Sequence, residues 1–133
     1  MAKSHTINVR VYYKDTDAGG VVYHTRYAEF MEMARTELLR VVGMPVQELK
    51  EEYEVFTPVI NLSLEYKKPA VYDDLLQIKV DVNEVTIDKL VLDYTIANQY
   101  GDLLCTASTT NCCVKVKSFS ITNMPQELIE KLK

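Results

Sequence analysis

Between Tyr12 and His24 the chain reads "YYKDTDAGGVVYH", which gathers Asp15, Asp17, the adjacent glycines Gly19 and Gly20, and one of the two histidines of the sequence. A carboxylate held beside an activated carbonyl can act as a general base toward water or as a nucleophile. The backbone N–H groups that open a helix lack intrahelical partners and sit at the positive end of its dipole. Together these parts suffice to hydrolyse an activated acyl group with no metal, serine or cysteine, because the helix start stabilises the oxygen on which charge develops. The same residues also read as turn punctuation. Aspartates cap turns through backbone N–H groups, and glycines supply unusual backbone angles. On local chemistry alone the turn reading is the simpler one, and Asp15 and Asp17 are interchangeable.

Other chemistries lack their residues. There is no H-E-x-x-H, G-x-S-x-G, P-loop or G-x-G-x-x-G in the chain, which counts against a zinc protease, an α/β-hydrolase nucleophile and nucleotide-cradling loops. Cys105, Cys112 and Cys113 are odd in number and have no metal-ligand spacing. They read as reduced, buried thiols in strands and point to a reducing cytoplasm.

The elements around the segment follow from periodicity. "HTINVRVYY" alternates, with Ile7, Val9, Val11 and Tyr13 on one face, and predicts a strand. From about His24 the period becomes helical: Tyr27, Phe30, Met31, Ala34, Leu38 and Val41 or Val42 form one apolar stripe, while Ala28, Glu29, Glu32, Arg35, Glu37 and Leu39 are good helix formers. Gly43 and Pro45 end this long helix. "VQELKEEY" predicts a short second helix. "EVFTPVINLSLEYKKP" reads as one strand. "LLQIKVDVNEV" and "KLVLDYTIANQ" form a hairpin across "TID", and "LLCTASTTNCCVKVK" follows the "YGD" turn. "PQELIEKLK" predicts a closing helix with Pro125 at its start. Strand, long helix and four successive strands give an α+β fold in which an antiparallel sheet wraps around one helix.

With 133 residues the chain fits a single domain spanning 1–133. A net charge of −4 without a basic run disfavours general nucleic-acid binding. The start "MAKSHTINVRV" lacks a signal peptide's apolar run, and no stretch is long enough to span a bilayer, so membrane insertion is not expected.

"VRVYYKDTDAGGVVYHTRYAEFMEMARTELL" resembles the signature of hot-dog-fold thioesterases of the 4-hydroxybenzoyl-CoA type, and within them the Tol-Pal-associated acyl-CoA thioesterases. The likeness continues through "FTPVINLSLEYKKPAVYDDLLQIKV" and covers about Asn8 to about Val116. It implies a hot-dog fold: a five-stranded antiparallel sheet around one long helix, in dimers or tetramers whose active sites lie between subunits. It implies an acyl-CoA thioester hydrolase of lipid metabolism that needs no cofactor or metal. An acyl carrier protein is an alternative donor, and a non-catalytic module that binds such thioesters is the alternative reading. Mapped residue by residue, the catalytic carboxylate falls on Asp17, while Asp15 shapes the loop. The carbonyl-polarising amide falls at His24, whose imidazole could also orient water. Gly19, Gly20, Val22 and Tyr23 face the substrate. A helix carboxylate at Glu29 or Glu32 is the catalyst in a related branch. The sequence departs from the family where a basic cluster holds the coenzyme phosphates: here "EVTIDKLVL" offers Lys89 alone, with Lys67, Lys68, Lys115 and Lys117 as alternatives.

Overall fold

A computed structural model describes residues 3–133. The first strand, β1 (Ser4–Arg10), leads through a short 3-10 turn (Tyr13–Asp15) and a loop into α1 (Arg26–Val41) and α2 (Val46–Glu52). Strands β2 (Val55–Phe56), β3 (Val59–Tyr66), β4 (Leu75–Val85), β5 (Leu90–Ala97), β6 (Leu103–Asn111), β7 (Cys113–Lys115) and β8 (Ile121–Thr122) follow, and α3 (Gln126–Leu132) closes the chain.

The main sheet has five antiparallel strands in the order β1-β4-β5-β6-β3. Alternation decides which side faces inward. Leu76, Ile78, Val80 and Val82 of β4, with Leu90, Leu92, Tyr94 and Ile96 of β5, are buried beneath the helix. The helix α1 packs against β1 and β4 and buries Tyr27, Phe30, Met31, Ala34, Leu38 and Leu39. A curved sheet around one long helix is therefore what the chain adopts, as the resemblance implied.

Several details differ from the sequence reading. Strand β1 stops at Arg10, and Tyr13 is 73% exposed rather than on the buried face with Val11. The Asp15 carboxylate takes the Tyr12 N–H at 2.9 Å, which turns the chain before Tyr13 can extend the strand. In α1, Leu39 is buried while Val41 is exposed, because the stripe rotates around the helix toward its C-terminus. The helix then closes in a Schellman motif. Met44 N–H reaches the Leu39 carbonyl at 2.9 Å and Gly43 N–H the Arg40 carbonyl at 3.1 Å, with Gly43 at φ 88°.

The stretch from Glu54 to Pro69 holds two strands, not one. It breaks at Thr57–Pro58, where proline cannot donate to a ladder. The last long strand breaks likewise at Cys112. The pieces beyond the breaks build a second sheet of three short strands, β2-β7-β8. Strand β3 pairs with β6 and not with β4, its successor in the chain. It forms one edge of the main sheet, and Val59, Ile60, Leu62 and Tyr66 on it are exposed. The three cysteines are buried and free, and burial, then neighbouring Cys112, pushes the Cys113 thiol up to about 11.

Leu38 is 1% exposed in the middle of the α1 stripe. Leu38→Ala is expected to cost about 2–5 kcal/mol of folding free energy, read as a lower urea midpoint with an unchanged slope. A loss below about 1 kcal/mol would mean that the helix is not the filling of the sheet.

Candidate active site

The loop between β1 and α1 is built around Asp15, whose residue is 2% exposed. A buried carboxylate is tolerable only when donors surround it. Here Tyr12 N–H donates to one oxygen at 2.9 Å, and Lys14 Nζ and Arg26 Nη2 reach the other at 3.3 and 2.6 Å. Burial pushes the Asp15 carboxyl up, but the Tyr12 N–H, the Lys14 ammonium and the Arg26 guanidinium outweigh it and hold it below its ordinary value. The Asp15 carbonyl in turn accepts Tyr23 N–H at 2.9 Å, and the Tyr23 carbonyl accepts Arg26 N–H at 2.9 Å. Asp15 thus ties the end of β1, the close of the loop and the first residue of α1 together.

Between these anchors the chain makes a small hairpin. Thr16 bridges to Val22, and Asp17 N–H donates to the Val21 carbonyl at 2.9 Å. Gly20 N–H returns to the Asp17 carbonyl at 3.0 Å, and Gly20 stands at φ 81°. Only a residue without Cβ takes that angle readily, so Gly20 is a geometric need of this turn, while a Cβ at Gly19 would come within 3.2 Å of the Asp17 carboxylate. The Asp17 carboxylate accepts Gly19 N–H at 2.8 Å through one oxygen. Asp17 itself is exposed, as are Gly19 and Gly20. The two aspartates are therefore unlike. One is buried among cations, and the other stands at an exposed turn with its second oxygen unengaged among the described residues.

The loop docks on the chain that follows β3. Val22 N–H donates to the Ala70 carbonyl at 2.9 Å, and Val21 bridges to Val71. His24 and Thr25 then lead into α1. Neither backbone N–H finds an acceptor among the described residues, as expected at a helix start. The His24 carbonyl accepts the Tyr66 hydroxyl at 2.8 Å, and its ring leans on Tyr23 with centroids 4.5 Å apart.

A cleft of about 270 Å³ opens at this point, lined by Val22, His24, Tyr27, Tyr66, Lys67 and Lys68. The structure thus brings Val22 and His24 to one cleft, whereas Asp17, Gly19, Gly20 and Tyr23 are not part of its lining. Lys89 does not join them: it sits in the β4–β5 turn, paired with Glu84 at 3.2 Å. Lys67 and Lys68 do line the cleft, with Glu65 and Asp102 as their carboxylate partners. Glu29 is engaged by Arg26, and Glu32 and Glu29 border a separate groove beside β3. A larger cleft of about 570 Å³ lies between Tyr53, Lys115, Lys117 and the start of α3. It has no helix start of α1's length and no glycine loop, so size alone does not select it.

Tyr66 and Arg26 are the residues that sequence reasoning missed. Nothing in the spacing of Tyr66 distinguishes it from the other strand tyrosines. Arg26 could have been found, since a cation at the first helical position 11 residues after Asp15 is the natural partner of a loop carboxylate.

The thioesterase-like superfamily model matches residues 11–132. The chain belongs to that superfamily. The acyl-CoA thioester hydrolase YbgC of Escherichia coli is 38% identical over 125 residues, which span 94% of this chain and 92% of the relative. A DHNA-CoA thioesterase structure from Staphylococcus aureus superposes with a TM-score of 0.86 at 29% identity, over 90% of this chain and 80% of that one. A 4-hydroxybenzoyl-CoA thioesterase mutant in complex with 4-hydroxybenzoyl-CoA gives 0.89 at 21% identity, over 99% and 100% of the two chains. The fold of this superfamily member is the hot-dog fold of those thioesterases.

Because the Asp15 carboxyl is held low, its stabilisation is complete above its ordinary value of 3.8 and is lost as pH falls through the lower folded value. Asp15→Asn is expected to cost about 3 kcal/mol near neutral pH, since it removes the buried charge that Arg26 and Lys14 are arranged around and leaves Arg26 with Glu29 alone. The variant's urea midpoint should also fall less than the parent's between about pH 5 and about pH 2. Parallel midpoints across that range would refute the role of the Asp15 charge.

Proposed function

We propose that this thioesterase-like chain hydrolyses the thioester of acyl-CoA to free acid and thiol, at the start of α1. The observation that carries this reading is the pair of unpartnered N–H groups at His24 and Thr25, reached through a glycine-bent loop that presents Asp17. The resemblance to YbgC, named an acyl-CoA thioester hydrolase, supports the same substrate class.

In this mechanism the thioester carbonyl oxygen is held by the helix-start amides, with His24 N–H as the principal donor. Asp17 removes a proton from water as the water oxygen bonds to the carbonyl carbon, and the electron pair moves onto the carbonyl oxygen. The tetrahedral oxyanion is stabilised by fixed N–H dipoles. It then collapses, the C–S bond breaks, and the thiolate leaves with the proton that Asp17 carried. Asp17 acting as nucleophile is the variant of the same scheme: a mixed anhydride forms, the thiolate leaves, and water then hydrolyses the anhydride. The His24 imidazole stands beside the donor and can orient the water. Gly19 and Gly20 let the loop approach the substrate, and Val22 and Tyr23 flank its path. Lys67 and Lys68 line the cleft and are better placed than Lys89 to meet the coenzyme phosphates. An acyl carrier protein is the alternative donor.

We further propose that the working form is a homodimer, or a homotetramer built from two such dimers, in the cytoplasm. Strand β3 supports this. Among the described residues it lacks a partner on one edge, and Ile60 and Leu62 on it are 61% and 45% exposed. An apolar, unpaired edge of that kind is suited to a second copy. The buried thiols fit a reducing compartment, and no helix of the described residues is long and apolar enough to cross a membrane.

Asparagine keeps the oxygen that accepts Gly19 N–H and is at home in the same turn, so Asp17→Asn removes the charge and spares the loop. It is expected to lower kcat about a hundredfold or more, followed as thiol release from a panel of acyl-CoAs, with an unchanged melting temperature. Turnover near the parent's would end the role of Asp17. Binding without thiol release by the unaltered protein would favour a non-catalytic module. Ile60→Lys should convert the dimer to monomer in sedimentation analysis. A monomeric parent would contradict the assembly.

A further inference from the structure

His24 is fixed from two sides. Before it, Tyr23 N–H is held by the Asp15 carbonyl at 2.9 Å. After it, the His24 carbonyl is held by the Tyr66 hydroxyl at 2.8 Å. The second bond comes from β3, across 42 positions of sequence, and it is the one side-chain hydrogen bond to the His24–Thr25 turn among the described residues. The cap residue Thr25 supplies none of its own. Tyr66 therefore restrains the peptide plane after His24, which carries the Thr25 N–H, while the preceding plane, with the His24 N–H, is held through the Tyr23 carbonyl by Arg26 N–H at 2.9 Å. Donation to a peptide carbonyl also strengthens the N–H of the same peptide as a donor.

Tyr66 is itself braced. Its ring meets Tyr27 edge-on, with centroids 5.2 Å apart and planes at 76°. Tyr27 is buried, and its hydroxyl accepts Ala70 N–H at 3.2 Å. Ala70 is also the residue on which the loop docks through Val22. Burial, then the nearby Cys105, pushes the Tyr66 phenol up, so the hydroxyl remains a donor.

We propose that Tyr66 is a positioning residue: it holds the His24 turn so that the helix-start amides face the thioester carbonyl as charge develops on its oxygen. This rests on the hydrolase reading above. It adds a control that comes from β3, the strand whose free edge awaits a second copy, so that assembly and oxyanion binding share one element.

The test is Tyr66→Phe, which keeps the ring on Tyr27 and removes only the hydroxyl. Hydrolysis by the unaltered protein is measured first, and its absence would sink the hydrolase reading together with this role. With activity established, the variant is expected to lose about tenfold to about a hundredfold in kcat. KM and the shape of the pH profile should stay unchanged, the pattern of an interaction made only in the transition state. Independently of turnover, the Thr25 amide nitrogen should shift upfield in the variant's NMR spectrum, because its peptide carbonyl has lost a donor. An unchanged kcat, a rise in KM with kcat retained, or an unmoved Thr25 resonance would each overturn the proposal.

Discussion

The arrangement depends on the burial of one carboxylate. Asp15 cannot be taken out of water unless donors replace the solvent, and the donors it finds belong to the end of β1, the turn itself and the first residue of α1. Satisfying that charge fixes where the first strand ends and where the helix begins. The hairpin between them has little freedom left. Its geometry is completed by a glycine in the left-handed region and by backbone bonds to the segment after β3.

Two aspartates, two positions apart, acquire different chemistry in consequence. Arg26 and Lys14 commit Asp15 to a permanent ion pair. Among the described residues the Asp17 carboxylate meets only a backbone N–H, and Asp17 remains exposed. A base or nucleophile must be free to exchange partners during a reaction, and of the two only Asp17 meets that condition. The electrophilic half comes from α1, whose start is held by Asp15 from one side and by Tyr66 from the other. On the proposed mechanism, the apolar stripe that anchors α1 in the sheet also sets the direction of the helix-start amides. Tilting the helix would misdirect its amides.

Much of this was legible in the sequence. The period change near His24 located the helix within two residues of its start at Arg26, and the strong alternation of β4 and β5 fixed their inward faces. Asp15 and Asp17 were indistinguishable by local chemistry. The resemblance gives Asp17 the catalytic role and Asp15 a loop-shaping one, and the structure shows the two to differ in burial and partners. Strand pairing was less legible. Chain order suggests β3 beside β4, but β3 crosses to the far edge and pairs with β6, since hydrophobic alternation reports faces and not neighbours. The role of Tyr66 was hidden because a strand tyrosine that packs and one that also donates look identical in one dimension. The Pro58 and Cys112 breaks, which turn long strands into pairs of shorter ones, likewise reflect the need to fold a second small sheet.

On the proposed function the α1 start and the Asp17 loop are two halves of one site. The most direct measurement is a crystal structure of the protein with a non-hydrolysable ketone analogue of an acyl-CoA. The ketone oxygen should lie within about 3 Å of a helix-start N–H, with the Asp17 carboxylate beside the carbonyl carbon. An analogue seated in the cleft of Tyr53 and Lys117, or one whose carbonyl faces neither His24 nor Asp17, would contradict it.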